Sequence, residues 1–346
     1  MRVATKSPHH GVAGGLALGL ILVGCATVGG GSPTASTPTP IQDPPTRPGL
    51  PSILVAMPSS PDFVDARRGL VAEVHEIFNV STLLITRETT VTDIADAIER
   101  VKPVCAVLMN NVTIGLFRTY ESAHKDRPAL PTVVIMSSLL DEVRSQIRNA
   151  VGISYEVPGV TAFVNLRSII QTPIHRVGVV YRPVFRNFIN RQKETAQKEN
   201  IAIVGSELAR DFSADDLRDA LRTLIDKDKV DALWMLNDNL LVRDAQFLDE
   251  TWRAELRSAG LPLIVGVANL VDPTTSLGTL AVVPDHEALG LQAANLIFDL
   301  AENGWNIKGH GIDLPLSVKT IADVRQIRAR FQLRPGALAR IDSGLE

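Results

Sequence analysis

The chain has 346 residues, 45% hydrophobic and 21% charged, with a formal net charge of -3. That length can bury roughly two domain cores, and 35 basic against 38 acidic residues, with no long basic run, exclude a phosphate-backbone footprint and with it a nucleic-acid partner. An aromatic share of 5%, beside 24 Gly and 21 Pro, disfavours barrels and sandwiches and favours aliphatic parallel strands covered by helices.

At the N-terminus, Arg2 and Lys6 precede an apolar run over residues 12–23 that is too short to cross a bilayer comfortably, so residues 1–24 read as a signal peptide. The run ends in Leu22-Val23-Gly24-Cys25, which resembles the bacterial lipoprotein signal box. That resemblance implies lipidation of Cys25, cleavage before it, and a membrane-anchored protein of the bacterial cell envelope facing the periplasm or the exterior. Ala26 in place of Asp implies, by the same resemblance, that the outer membrane is open to it. Cys105 lies inside an apolar run, so the two cysteines do not form a disulfide framework. Residues 25–51 are rich in Gly, Ser, Thr and Pro and are predicted to be an extended tether, with the body beginning near Ser52.

From there a short aliphatic run, a polar turn and a helical period repeat. Strands are predicted at Ile53–Met57, Leu83–Thr86, Val104–Met109, Thr132–Met136, Val177–Tyr181, Ile201–Val204, Ala232–Leu236, Leu263–Val267 and Leu280–Val283. Helices are predicted at Asp62–Phe78, Val91–Val101, Thr113–Lys125, Leu139–Asn149, Phe185–Glu199, Ala214–Lys227, Ala245–Ala259 and His286–Glu302. Ser213 with Asp216 forms a capping signal, and Asp285 is read as the N-cap of the last helix. Strands alternating with helices of this length give right-handed βαβ units, and a restart near Pro173 gives two lobes: an α/β fold with two doubly wound parallel sheets.

Several chemistries lack their motifs. There is no phosphate loop, no G-x-S-x-G elbow and no C-x-x-C pair. His286-Glu287 is not a zinc helix, because position 290, where the second histidine would fall, is Gly. No catalytic residue, metal or cofactor is therefore expected, and the chain is not read as an enzyme. Polar residues instead recur at the C-terminal ends of strands, where open parallel sheets bind ligands. They are Ser59 and Ser60, Asn110 and Asn111, Ser137 and Ser138, then Asn237 and Asp238, and Asn269. Such groups suit recognition more than bond chemistry, and at each one capping of the next helix is the competing reading.

Four segments carry a wider resemblance: HRVGVVYRP (175–183), VDALWMLNDNLLV (230–242), GLPLIVGVANLV (260–271) and GTLAVVPDHEALGLQAANLI (278–297). They resemble the ABC-transporter substrate-binding proteins of the type I periplasmic-binding fold, in the branch of tryptophan- and tyrosine-type members. The resemblance implies two lobes joined by a three-strand hinge, with a ligand trapped as they close. On that pattern the first lobe is 52–155 plus 280–305, the second 156–279 plus 306–334, and 335–346 is a tail. It implies that Asp238 holds a ligand ammonium and that Tyr155, at the first crossing, stacks on or bonds to the ligand. The function implied is capture of a small polar ligand, an amino acid among the possibilities, and delivery to an ABC permease. The alternative is a sensor or scaffold lipoprotein whose cleft closure is read by an envelope partner.

Overall fold

The computed structural model describes residues 41–345 apart from Pro273, and only the backbone of Leu345; the predicted signal peptide and the lipidation site at Cys25 lie outside the described residues. Runs of Val, Ile, Leu and Ala need both faces covered, and they pair here as parallel strands sandwiched by helices. The first unit runs β1 (Ser52–Met57), α1 (Pro61–Val74), β2 (Asn79–Leu84), α2 (Val91–Val101), β3 (Cys105–Met109), α3 (Asn111–Ala123), β4 (Thr132–Ile135), α4 (Leu140–Val143) and β5 (Ala150–Ile153). The second runs α5 (Gly159–Ile169), β6 (Arg176–Tyr181), α6 (Arg186–Gln197), β7 (Ala202–Glu207), α7 (Ala214–Arg222), β8 (Ala232–Met235), α8 (Ala245–Leu248), α9 (Ala254–Ala259), β9 (Leu263–Val265) and β10 (Leu280–Pro284). The chain then alternates between lobes with α10 (His286–Glu302), β11 (Ile312–Asp313), β12 (Val318–Asp323), α11 (Val324–Arg330) and β13 (Ser343–Leu345).

The first sheet has the order β11-β5-β4-β3-β1-β2 and the second β13-β12-β10-β9-β8-β6-β7. Every pairing is parallel except β10 with β12. The expected fold, two lobes each built on a parallel sheet covered by helices, is the one observed. Apolar clusters fill both faces of each sheet, so each lobe has its own core.

The lobe boundaries differ from expectation. β10 belongs to the second sheet, because Leu280 and Ala281 pair with Ile264 and Val265 of β9 and are fully buried there. The chain crosses only after Pro284, where Asp285 caps α10 as expected, accepting from the Ala288 N–H, and meets Lys319 Nζ at 3.0 Å. β11 joins the first sheet beside β5, whereas β12 and α11 return to the second lobe. The predicted tail is structured: β13 pairs in parallel with β12.

Residues 41–51 are fastened to the first lobe, so the folded body includes these eleven residues before Ser52. Arg67, 8% exposed, donates to Asp43 Oδ1 at 2.7 Å, to the Gln42 carbonyl at 3.0 Å and to Thr82 Oγ1 at 2.8 Å. Asn79 donates to the carbonyls of Arg47 and Leu50, and Arg47 grips Glu76 with both guanidinium nitrogens. This attachment is polar, which is why a reading of apolar content took the segment for free tether.

Helix α10 lies against α1 at a spacing that only glycine permits. A Cβ on Gly290 would stand 1.8 Å from the Ala66 carbonyl oxygen, and one on Gly69 1.9 Å from that of Glu287. The glycine that rules out a zinc helix is thus a packing residue. The predicted capping box of α7 is present, with Ser213 and Asp216 bonded reciprocally. Helix α5 was not anticipated, although Phe163, Leu166 and Ile169 are buried along one face. Residues 139–149 hold only the short α4 and a single tight turn at Arg144–Gln146 in place of the predicted long helix.

Candidate functional site

The three crossings, after β5, after β10 and after β11, gather beside the C-terminal ends of β8, β9 and β10. A pocket opens there on the second lobe. Tyr155 and Glu156 of the first crossing line it together with Phe185, Phe188, Trp234 and Asn237. The rings brace one another: Phe188 lies 5.9 Å from Trp234 and 6.4 Å from Phe185, centroid to centroid, and Phe163 meets Trp234 edge-on at 5.3 Å. A Cβ on Gly159 would sit 2.9 Å from the Trp234 ring, and one on Gly266 2.3 Å from Asn237 Oδ1, so both glycines shape the walls. As it stands the pocket is partly open and has about 30 Å³ of space, room for roughly two waters.

Of the residues expected at the site, Tyr155 and Asn237 line this pocket. Asn237 donates to the Gly266 carbonyl at 3.2 Å. The first-lobe residues stand at their strand ends but do not line it. Asn111 is locked to its neighbours, donating to the Ser138 carbonyl at 2.9 Å and accepting from Ser137 Oγ at 3.0 Å and the Ser138 N–H at 2.9 Å. Asn110 caps α3, its side chain accepting from the Thr113 N–H at 2.9 Å. Ser60 occupies the N-cap of α1 without a side-chain cap bond, and Ser59 is exposed. Asn269 is exposed in the turn Ala268–Leu270.

Asp238 is placed differently from expectation. Its side chain has no exposed surface, and Arg182, whose own is 11% exposed, clamps it with Nε at 2.6 Å and Nη2 at 2.7 Å. The Leu240 N–H supplies a third bond at 3.0 Å. The carboxylate is neutralised inside the protein by Arg182 rather than left with a free charge for a ligand ammonium, and the pair joins the end of β6 to the end of β8. Arg182 follows β6 directly in the quoted segment HRVGVVYRP, and its charge was the available signal.

Glu156 was missed. It keeps some surface, but protein surrounds it closely: Oε1 accepts from the Leu139 N–H at 2.8 Å and Oε2 from Ser154 Oγ at 3.3 Å. Burial pushes its carboxyl pKa up to about 7, against those hydrogen bonds. Leu139 reaches across from the first lobe and packs in the core of the second. Nearby, Arg191 of α6 meets Asp141 of α4 at 2.8 Å, so the lobes touch through a polar pair as well. Backbone strain gathers on the same edge of the first lobe: Asn110, Met136 and Leu139 have φ of 77°, 56° and 54°. At the hinge the Tyr155 hydroxyl lies 3.3 Å from His286 Nε2, while His286 Nδ1 lies 3.4 Å from Asp62 Oδ1. His286 holds the Asp62 carboxyl below its usual range. Among the described residues no group of His, Cys, Asp and Glu is placed to hold a metal ion.

No protein-family model matches the chain. No curated protein matches it in sequence either. Solved structures do match in fold. The ligand-free, open structure of a substrate binding protein with adhesive properties from Clostridium difficile superposes with a TM-score of 0.63 at 15% identity, over 86% of this chain and 99% of that one. A conserved domain protein from Vibrio cholerae gives 0.57 at 15% identity, over 86% and 100%. An ABC domain in complex with L-Trp from Streptococcus pneumonia gives 0.54 at 14% identity, over 85% and 100%.

Proposed function

We propose that the chain is a lipid-anchored solute-binding protein that captures a small polar molecule between its lobes and delivers it to an ABC permease. The observation that carries this reading is the pocket at the hinge, with aromatic walls and a few polar groups where the first crossing meets the second lobe. Capture is then a two-state motion in which the solute stabilises the shut form by the difference between its affinities for the two states. The fold shared with a substrate binding protein and with a domain bound to L-Trp supports the same reading and makes amino acids the first class to try. On this reading the protein binds and releases its solute without making or breaking a bond. Lipidation at Cys25 rests on the Leu22-Val23-Gly24-Cys25 box and places the body at a membrane surface.

Thermal unfolding against amino acids, nucleosides, sugars and organic acids tests capture. A ligand at about 100 times its dissociation constant adds about 2.7 kcal/mol to the folded state. A shift with one chemical class is expected, and silence across the whole panel overturns the reading.

A further inference from the structure

We infer that the hinge pocket selects solutes carrying an organic ammonium beside an apolar or aromatic body, with Glu156 as the counter-charge. The inference deepens the solute-capture reading and rests on it. Glu156 is the one charged side chain among the residues lining the pocket. Its hydrogen-bond donors are neutral, the Leu139 N–H and the Ser154 hydroxyl, and no ion pair to it is found among the described residues. The contrast with Asp238 is direct. One acid at the strand ends has a guanidinium clamped on both oxygens, and the other has none.

An enclosed carboxylate without a cation is unfavourable, and a cation arriving with the solute relieves that. The raised proton affinity of Glu156 has the same origin. Around it stand Tyr155, Phe185, Phe188 and Trp234, whose ring faces attract a positive group and whose surfaces bury an apolar body. A solute bearing only a carboxylate meets the opposite: like charge from Glu156 and no cationic side chain in the lining. Leu139 adds a link to closure. Its N–H comes from the first lobe and its side chain packs in the second, so a solute drawn to Glu156 sits where the lobes are joined.

The test is calorimetric titration of the full chain with three probes of matched shape: phenethylamine, 3-phenylpropionate and 3-phenylpropan-1-ol. The amine is expected to bind about ten-fold tighter than the alcohol, or more, with the carboxylate weakest. Glu156→Gln brings amine and alcohol within about three-fold of each other, while Glu156→Asp, which keeps the charge, retains the preference. Equal or tighter binding of the carboxylate or the alcohol overturns the inference, as does a preference that survives in Glu156→Gln. Silence from all three probes overturns it as well. A shift with an anionic solute in the wider panel would remove this selectivity and leave capture standing, which separates the two failures.

Discussion

Replacing Arg182 by Met removes the cation from a carboxylate that has no exposed surface and leaves Asp238 with the Leu240 N–H alone, at 3.0 Å. Breaking a buried ion pair from one side destabilises by about 3–5 kcal/mol, because the remaining charge stays buried without compensation. At about 2 °C per kcal/mol for a chain of this size, the second lobe should unfold roughly 6–10 °C earlier. Urea unfolding followed by tryptophan fluorescence reads it, since Trp234 and Trp252 pack in the second-lobe clusters and Trp305 beside the first-lobe core. Arg182→Met with Asp238→Leu should recover most of the loss, because the pair is then replaced by apolar groups of similar size. Asp238→Ala alone should cost less than Arg182→Met, since the arginine keeps 11% of its side chain in water and can turn outward. If Arg182→Met stays within about 0.5 kcal/mol of the parent, or the double variant is no better than the worse single, the clamp is not what joins these strand ends.

Other consequences are as direct. Glu156 titrates near 4.5 when unfolded and near 7 when folded, so the folded state holds the extra proton between those values and its contribution to stability falls as pH rises through that window. The charge of Asp141 raises it further; denaturation from pH 5 to 7.5 should show the fall, and Glu156→Gln should flatten it. Gly290→Ala should lower first-lobe stability by about 1–3 kcal/mol or more in the same assay, while Gly115→Ala on α3, where a Cβ meets nothing within 4 Å, should be neutral or stabilising. Cys105 is fully buried with its thiol pushed up to about 12, so a body starting at Ile41 should show no thiol reaction with an aromatic disulfide until it unfolds.

Strand-helix alternation made the fold legible, because buried parallel strands must be continuous aliphatic runs. CAVLM of β3 and SILVAM of β1 carry that signal without ambiguity. β2 begins earlier than predicted, at Asn79, since NVST pairs on an edge where polar side chains reach water and the docked segment from Ile41. The site was less legible. Asn110, Asn111, Ser137 and Ser138 are where strand ends were predicted, but the alternative of local bonding describes each of their contacts. Asp238 and Glu156 look alike in sequence; what separates them is an arginine 56 positions away that reaches only one. Such long-range pairing leaves no periodicity to read.

The fastening of residues 41–51 decides which lobe stays put. With Asp43 on Arg67 and Arg47 on Glu76, any pull arriving from the N-terminus is borne by the first lobe before it reaches the hinge. In the proposed capture motion the second lobe, which carries the aromatic pocket, is then the jaw that swings. If Cys25 is the anchor, as proposed, sixteen chain steps separate it from Ile41, a contour length of about 55 Å. On the proposed reading the first lobe is held within that radius of the membrane while the second moves with the solute.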